Sequence, residues 1–201
     1  MLDVEGFILV GGASSRMGTD KSRLILGGET SVARIAAAMQ AITNQIRVVG
    51  ARDSFHEFAN IADLHETWGP LGGIHAALRA ASAEWCFVVA CDLPFVTAGL
   101  LTRLLHLGMN ASSPTDAVVP IQEDNYPQPL CAIYRRLPCL AGANQSISNA
   151  EYSPRALLDK VNARFVSFTE IQDLPGSQNF FFNINTPENY TRARQLFEQE
   201  G

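Results

Sequence analysis

The sequence predicts an α/β protein, a Rossmann-like three-layer sandwich with a mainly parallel sheet and helices on both faces. The short apolar runs at 7–10 and 85–90 lack polar alternation, which is typical of strands buried on both faces. Segments with helical apolar spacing separate such runs along the chain. A glycine-rich polar stretch follows the first run, at the sheet edge where ligands bind in this fold class.

The elements follow one another in a regular order. We predict strands at 7–10, 46–49, 60–64, 85–90, 117–121, 130–134, 164–168 and 180–184. We predict helices capped by Ser31 and Thr97, a short helix over 55–60, and further helices from Gly69, Ser153 and Thr186, with a loop over 142–152. The 201 residues suit a single domain with one core.

Composition excludes several classes of function. The net charge of -5 argues against a nucleic-acid or membrane-surface partner. The apolar run at 7–10 is too short for a signal or membrane segment, and acidic rather than basic residues precede it. Four cysteines at spacings unsuited to chelation indicate buried thiols in a reducing compartment, so we expect a cytoplasmic protein.

The stretch VGGASSRMGTDKSRL after the first strand is typical of a phosphate-binding loop. Gly11, Gly12 and Gly18 allow backbone N–H groups to approach an anion, while Arg16 and Lys21 add positive charge. The spacing matches neither GxxxxGK[ST] nor GxGxxG. The alternative is a solvated turn with ordinary surface charges.

A carboxylate closes the 85–90 strand at the same predicted edge. Asp92 fits a Mg²⁺ ligand, because Mg²⁺ uses one or two carboxylates together with substrate phosphates. Asp63 ends the third strand and is a further candidate. The alternative for Asp92 is a cap of the loop before Pro94, and for Asp63 a helix or turn cap.

These residues resemble those of a known family. The stretch ILVGGASSRMGTDKSRLILGG resembles the nucleotidyltransferase pattern LAGGxSxRMGxDKxLLxxxG, and its DK form is similar to that of the molybdenum cofactor guanylyltransferases. The resemblance continues in order through GPLGGIHAAL, VVACDLPF, YPQPLCAIY, SPRALL and FFNINTPENY, and so covers nearly the whole chain.

The resemblance implies transfer of GMP from GTP to the terminal phosphate of molybdenum-molybdopterin, with Mg²⁺ as cofactor and pyrophosphate as product. It implies catalytic roles for Arg16, Lys21 and Asp92, with Asp92 as metal ligand. The implied nucleotide-binding residues are Leu9, Val10, Gly11, Gly12, Ser15, Gly18, Lys21, Gly50, Asp63 and Asp92. The candidates for holding the acceptor are Gly72, Gln128, Arg155, Asn183 and Asn185.

On this interpretation residues 1–107 bind the nucleotide and residues 108–201 bind the acceptor. Proteins that deliver the cofactor and molybdoenzymes that receive the product would be the protein partners. Three alternatives stay open: cytidylyl transfer to the same cofactor, nucleotidyl transfer to another phosphorylated metabolite, and nucleotide binding without catalysis. Gly50 stands where relatives often carry Asn, and Val10 where Ala is usual, so both positions bear on the choice of base.

Overall fold

The structure is a computed structural model that describes residues 3–10, 21–50, 55–62 and 68–200, with side chains as far as residue 198. Its centre is a seven-stranded sheet of order β5-β4-β1-β6-β8-β7-β9, and β2 and β3 form a separate hairpin. The strands are Val4–Leu9 (β1), Ile25–Leu26 (β2), Glu29–Thr30 (β3), Ile46–Val49 (β4), Ala59–Ile61 (β5), Trp85–Ala90 (β6), Ala117–Pro120 (β7), Cys131–Arg135 (β8) and Ala163–Val166 (β9).

Helices cover both faces of the sheet. They are Ser31–Gln40 (α1), Gly69–Ala80 (α2), Ala98–Met109 (α3), Arg136–Ser148 (α4), Pro154–Leu158 (α5) and Pro187–Glu200 (α6). Side chains of β1 alternate between two cores: Ile8 packs with α1 and α3, whereas Phe7 packs with α2, α4 and α5. Both residues are fully buried, as their uninterrupted apolar run predicts.

The sheet is mainly parallel, as predicted. Strand β1 lies between β4 and β6 and runs parallel to both, with Leu9 in register with Val49 and Ala90. Strand β8 pairs antiparallel with β6 and β7, while β7 and β9 are parallel. The carboxyl ends of β4, β1 and β6 therefore meet at one edge of the sheet, where the sequence placed the ligand.

Most predicted elements are confirmed within a few residues of their predicted bounds. The strand at 46–49 and the strand at 85–90 have the predicted limits. Thr97 caps α3 through a hydrogen bond from the Leu100 N–H. The cap of α1 was predicted wrongly: Thr30 accepts the bond from the Ala33 N–H, and Ser31 is already the first helical residue.

The predicted loop over 142–152 is wrong because α4 continues to Ser148. The polar sequence of this segment does not indicate a helix. The small residues Gly142, Ala143 and Ser146 nevertheless form its buried face. A methyl group at Gly142 would lie 3.0 Å from side-chain atoms of Leu157 and Val161. Close packing against neighbouring segments therefore stabilises a helix whose residues give little apolar periodicity.

Two further predictions fail for local reasons. Residues 180–184 form no strand; a 3₁₀ turn at Ser177–Asn179 precedes an irregular segment, and Phe180 is buried as a core side chain instead. Residues 55–60 form no helix, because the Asn60 side chain bonds to the backbone of Phe55 and Phe58, and β5 begins at Ala59. The 164–168 strand shifts to Ala163–Val166, since Ser167 begins a 3₁₀ turn with Glu170 in a capping box.

Among the described residues, no helix has both the length and the apolar character that crossing a membrane requires.

Candidate active site

Asp92 lies at the carboxyl edge of the sheet, two residues beyond the end of β6. The Cys91 N–H donates to the Leu9 carbonyl oxygen at 2.9 Å, which holds this turn beside the end of β1. The Val10 N–H donates to the Val49 oxygen at 2.9 Å. Three predicted site residues, Leu9, Val10 and Asp92, are thus brought to the same edge by strand pairing.

Lys21 and Asp92 form an ion pair at that edge. Lys21 belongs to a 3₁₀ turn, Lys21–Arg23, and its Nζ lies 3.5 Å from Oδ2 of Asp92. The same Nζ donates to Oδ1 of Asn185 at 2.5 Å. The two charged side chains are 20% and 19% exposed, so their mutual attraction is only partly screened by solvent.

Asn183 and Asn185 reach this pair from the far end of the chain. The intervening residue fixes their position, because the Ile184 N–H donates to the Asp92 carbonyl oxygen at 2.9 Å and the Ile184 side chain is fully buried. The Asn183 side chain bonds to the Asp92 carboxylate. Both asparagines, predicted to hold the acceptor, therefore lie at the Lys21–Asp92 pair.

Burial dominates the protonation of Asp92. It raises the pKa of the Asp92 carboxyl above its usual range, and the Lys21 cation and the Asn183 hydrogen bond offset part of that rise. A partly buried carboxylate with a nearby amide oxygen, that of Asn185, offers the hard donors that Mg²⁺ prefers. No group of three or more His, Cys, Asp or Glu suited to a metal occurs in the described part of the chain.

Gly50 follows β4 at the same edge and adopts a left-handed backbone, with φ +83°. Its N–H donates to the Ile61 oxygen at 2.9 Å, which ties the turn to β5. A glycine is favoured at this φ, and Asn is among the few other residues that tolerate it. The left-handed backbone therefore explains why a glycine stands at position 50 without any contact to a ligand.

The other acceptor candidates are not gathered at the ion pair. Gln128 is held in its own loop, where its Nε2 donates to Gln122 Oε1 at 2.7 Å and its N–H to the Pro120 oxygen at 2.8 Å. Arg155 is exposed on α5, and Gly72 is buried in α2. No hydrogen bond or ion pair within the described ranges joins Gln128 or Arg155 to the Lys21–Asp92 pair.

The remaining predicted residues fall outside the described part of the chain. They are Gly11, Gly12, Ser15, Arg16, Gly18 and Asp63.

Two buried thiols near the sheet are unsuited to nucleophilic chemistry. Burial raises the pKa of Cys86 and of Cys131 to about 12, so both thiols stay protonated near neutral pH. All four cysteines are buried and none forms a disulfide, as the sequence predicts.

Sequence reasoning missed a group of aromatic and polar side chains beside the site. Trp68 and Tyr152 stack on each other, and His75 and Asn144 support Trp68 from the side facing α4. Trp68 directly precedes the GPLGG stretch and Tyr152 directly precedes SPRALL, so aromatic residues next to two motifs of the family resemblance could have indicated them. Nothing in the sequence shows that they meet.

A mainly parallel α/β sheet with a lysine–aspartate pair at its carboxyl edge suits an enzyme of the nucleotidyltransferase class, in which charge neutralisation serves phosphoryl chemistry. The family profile described as "MobA-like NTP transferase domain" matches residues 6–164. The chain belongs to this family of MobA-like nucleotidyltransferases.

Relatives match over nearly their full length. A protein of Pelotomaculum thermopropionicum, named "Probable molybdenum cofactor guanylyltransferase", is 32% identical over 98% of this chain and 95% of its own. A molybdenum cofactor guanylyltransferase of Desulfosudis oleivorans is 30% identical over 94% of each chain. The crystal structure of molybdopterin-guanine dinucleotide biosynthesis protein A from Archaeoglobus fulgidus aligns with a TM-score of 0.81 and 29% identity, covering 97% of this chain and 99% of that one.

Proposed function

We propose that this enzyme transfers GMP from GTP to the terminal phosphate of molybdenum-molybdopterin and releases pyrophosphate. The observation that carries the proposal is the Lys21–Asp92–Asn185 arrangement at the carboxyl edge of the sheet. The names and full-length similarity of the relatives support the choice of substrates. Residues 1–107 would bind the nucleotide and residues 108–201 would contribute the acceptor site.

The proposed reaction needs positioning and charge balance more than a covalent protein group. An oxygen of the acceptor phosphate attacks the α-phosphorus of GTP in line, the bond from that phosphorus to the bridging oxygen breaks, and pyrophosphate leaves. Because the attacking phosphate is already anionic near neutral pH, no strong general base is required. Lys21 would balance negative charge at the α-phosphate.

Asp92 is the residue that would hold Mg²⁺, with the amide oxygen of Asn185 close by. When bound, the metal would neutralise phosphate charge and assist the leaving group. Asn185 holds Lys21 beside Asp92, so the cation is positioned before the substrates arrive. Leu9, Val10 and Gly50 would border the base and ribose at the ends of β1 and β4.

The proposal also includes the cellular compartment of the enzyme and its protein partners. Four buried cysteines that form no disulfide support a reducing compartment such as the cytoplasm. The cofactor would arrive from a delivery protein, and the dinucleotide product would pass to a molybdoenzyme.

The first test replaces the carboxylate. Asp92→Asn should lower kcat by about 10²- to 10³-fold, because electrostatic stabilisation of this kind contributes about 3–4 kcal/mol to the transition state. Labelled GTP, molybdopterin and limiting Mg²⁺ give the measurement, and circular dichroism checks the fold. Asp173→Asn is the matched control, since Asp173 is an exposed aspartate paired with Arg103. Near-normal turnover of Asp92→Asn at limiting Mg²⁺ would remove Asp92 from the mechanism.

A competition assay tests the base. A site that hydrogen-bonds guanine leaves buried groups unpaired with cytosine, at about 1–3 kcal/mol for each. With two such groups at the low end, GTP should exceed CTP by at least roughly 100-fold in kcat/KM. Equal use of both nucleotides, or preference for CTP, would contradict guanylyl transfer and leave nucleotidyl transfer intact.

A further inference from the structure

Trp68 and Tyr152 form a parallel aromatic pair beside the proposed site. Their ring centroids are 6.3 Å apart and the ring planes differ by 7°. Trp68 directly precedes α2 and Tyr152 lies between α4 and α5, so 84 residues of sequence separate two rings that the fold stacks together. Tyr152 is 39% exposed and Trp68 is half-buried, which leaves aromatic surface open to solvent.

Packing holds the pair from one side. The His75 ring meets the Trp68 ring edge-on, with centroids 5.8 Å apart. His75 is itself buried, and its Nε2 lies 2.9 Å from Oδ1 of Asn144 on α4. The Trp68 ring is therefore held between α2 and α4 without a ligand, so a ligand that stacks on the pair need not order this ring first.

The first turn of α2 connects this pair to the strand ends. At Gly69, a Cβ would lie 3.9 Å from the Tyr152 carbonyl oxygen. At Gly73, a Cβ would lie 3.1 Å from Cδ1 of Leu9, the last residue of β1. These glycines are one helical turn apart, a rise of about 6 Å. The aromatic pair thus lies about one helical turn from the strand end at which the nucleotide would bind.

Charge near the pair favours an anion. Glu151, adjacent to Tyr152, is neutralised by Lys160, whose Nζ lies 2.5 Å from its Oε2. Arg155 follows Tyr152 by three residues, is exposed, and has no ion pair with any residue in the described ranges. Within the described residues, the segment from Tyr152 to Arg155 therefore combines an exposed aromatic ring with an exposed guanidinium, which suits a planar ring that carries a phosphate.

We propose that the Trp68–Tyr152 pair is a platform on which the pterin ring of the acceptor stacks. The inference rests on the proposed function and adds to it the site at which the pterin ring of the acceptor binds. Pterin and guanine share a fused 2-amino-4-oxopyrimidine ring, so either substrate of the proposed reaction has the stacking chemistry. Aromatic side chains bind such planar heterocycles through their π-faces, with cation–π support from arginine.

The position of the pair favours pterin over guanine. The proposed guanine site lies at Gly50, directly after β4, in the first half of the chain. The aromatic pair lies where α2 meets α4 and α5, and these last two helices belong to the second half of the chain. Arg155, a predicted acceptor residue, is on the same short helix that Tyr152 precedes.

The first experiment separates the two substrates kinetically. Tyr152→Leu and Trp68→Leu keep an apolar side chain and remove the aromatic face. Each should raise KM for molybdopterin roughly 10-fold, the low end of the effect of removing one stacking ring, and leave KM for GTP within about 2-fold. Tyr152→Phe and Trp68→Phe should restore most of the affinity, and Phe165→Leu, at a 46% exposed aromatic on β9, is the control that should change neither KM.

The second experiment measures binding without turnover. The probe is neopterin monophosphate, whose absorption overlaps tryptophan emission. Titration of the wild-type enzyme should quench tryptophan fluorescence, and the quenching should be lost in Trp68→Phe, which retains Trp85 as the other tryptophan of the chain. Tyr152→Leu should raise the half-saturating concentration of neopterin monophosphate roughly 10-fold. The affinity for GTP, measured as a second titrant, should be unchanged in every variant.

The outcomes distinguish this inference from the proposed function. If the wild-type enzyme fails to transfer GMP to molybdopterin, the proposed function is wrong whatever the variants do. If it transfers GMP and the two leucine variants keep the wild-type KM for molybdopterin, the platform is wrong. A raised KM for GTP with an unchanged KM for molybdopterin would assign the rings to guanine and overturn the pterin assignment.

Discussion

Replacing Lys21 by methionine should change both the rate and the pH dependence of the enzyme. Methionine keeps the length and apolar stem of lysine but removes the charge. At the observed 3.5 Å, the attraction between Lys21 and Asp92 is at most about 5 kcal/mol for an effective dielectric constant of about 20. Partial exposure of both side chains lowers the real value of this resting attraction. The rate depends instead on the charge that Lys21 would balance at the α-phosphate, and a loss of about 2–4 kcal/mol there would reduce kcat by roughly 30- to 1000-fold.

The direction of the pH effect follows from Asp92. Burial already raises the pKa of its carboxyl, and Lys21 works against that rise. Removing the cation therefore raises the pKa further, so the carboxylate becomes protonated at a higher pH as the solution is acidified. Because only the ionised carboxylate can bind Mg²⁺, the acid limb of kcat/KM should move to higher pH in Lys21→Met.

The assay is a pH profile of kcat/KM for labelled GTP with the acceptor held at saturation. Arg103→Met is the matched control: it removes an ion pair of 2.8 Å to Asp173 that lies on an exposed surface, and such pairs contribute less than about 1 kcal/mol. Its rate and pH profile should equal those of the wild type. An acid limb that stays in place or moves to lower pH in Lys21→Met would refute the electrostatic coupling of Lys21 to Asp92.

Two further predictions concern stability and are read from urea unfolding. Gly27→Ala should lower the free energy of unfolding by about 3 kcal/mol, because Gly27 has φ +59° and a Cβ there would lie 1.9 Å from the Phe197 ring. Gly28→Ala should lower it by only about 1 kcal/mol, because Gly28 has φ +87° but a Cβ there would meet nothing within 4 Å. Equal losses would show that Phe197 does not pack on the hairpin turn. Glu5→Gln should lower the free energy of unfolding by about 3 kcal/mol, because it leaves Arg47, 2.9 Å from the fully buried Glu5 carboxylate, without its anion. Turnover at 25 °C should stay normal. An unchanged unfolding midpoint would contradict this prediction.

An element of the fold could be predicted from the sequence where its burial in the structure produces a recognisable local pattern of apolar residues. Strands β1 and β6 are buried on both faces, so their uninterrupted apolar runs are visible without a structure. Helix α4 was missed because its buried face consists of small residues, and a glycine or serine in sequence does not indicate close packing against α5. The 180–184 run was misread for the opposite reason: Phe180 is buried and Phe181 and Phe182 are half-buried, in a segment without strand pairing.

The site could be predicted only in part for a related reason. Asp92 follows directly from the end of a strong strand, and Lys21 from a cationic loop after another. The contact between Lys21 and Asn185 joins residues 164 positions apart, and no local pattern specifies it. For the same reason the stacking of Trp68 on Tyr152 becomes visible only when α2, α4 and α5 are packed together.

A small third core explains why the polar groups of the site keep their places. It contains Leu24, Leu26, Phe95, Ile184 and Ala193, apart from the two cores that cover the main sheet. Leu24 is three residues beyond Lys21, Phe95 three beyond Asp92, and Ile184 one before Asn185.

Each segment that brings a polar group to the site therefore also buries an apolar side chain in this core. A solvent-exposed amide and a partly exposed ion pair have little ability to order their own backbones, because such contacts are weak in water. Burial of a leucine, isoleucine or phenylalanine contributes about 1.5–3 kcal/mol and supplies the missing restraint. Hydrophobic packing a few residues away thus sets the positions of Lys21, Asp92 and Asn185, and the ion pair itself need not order these segments.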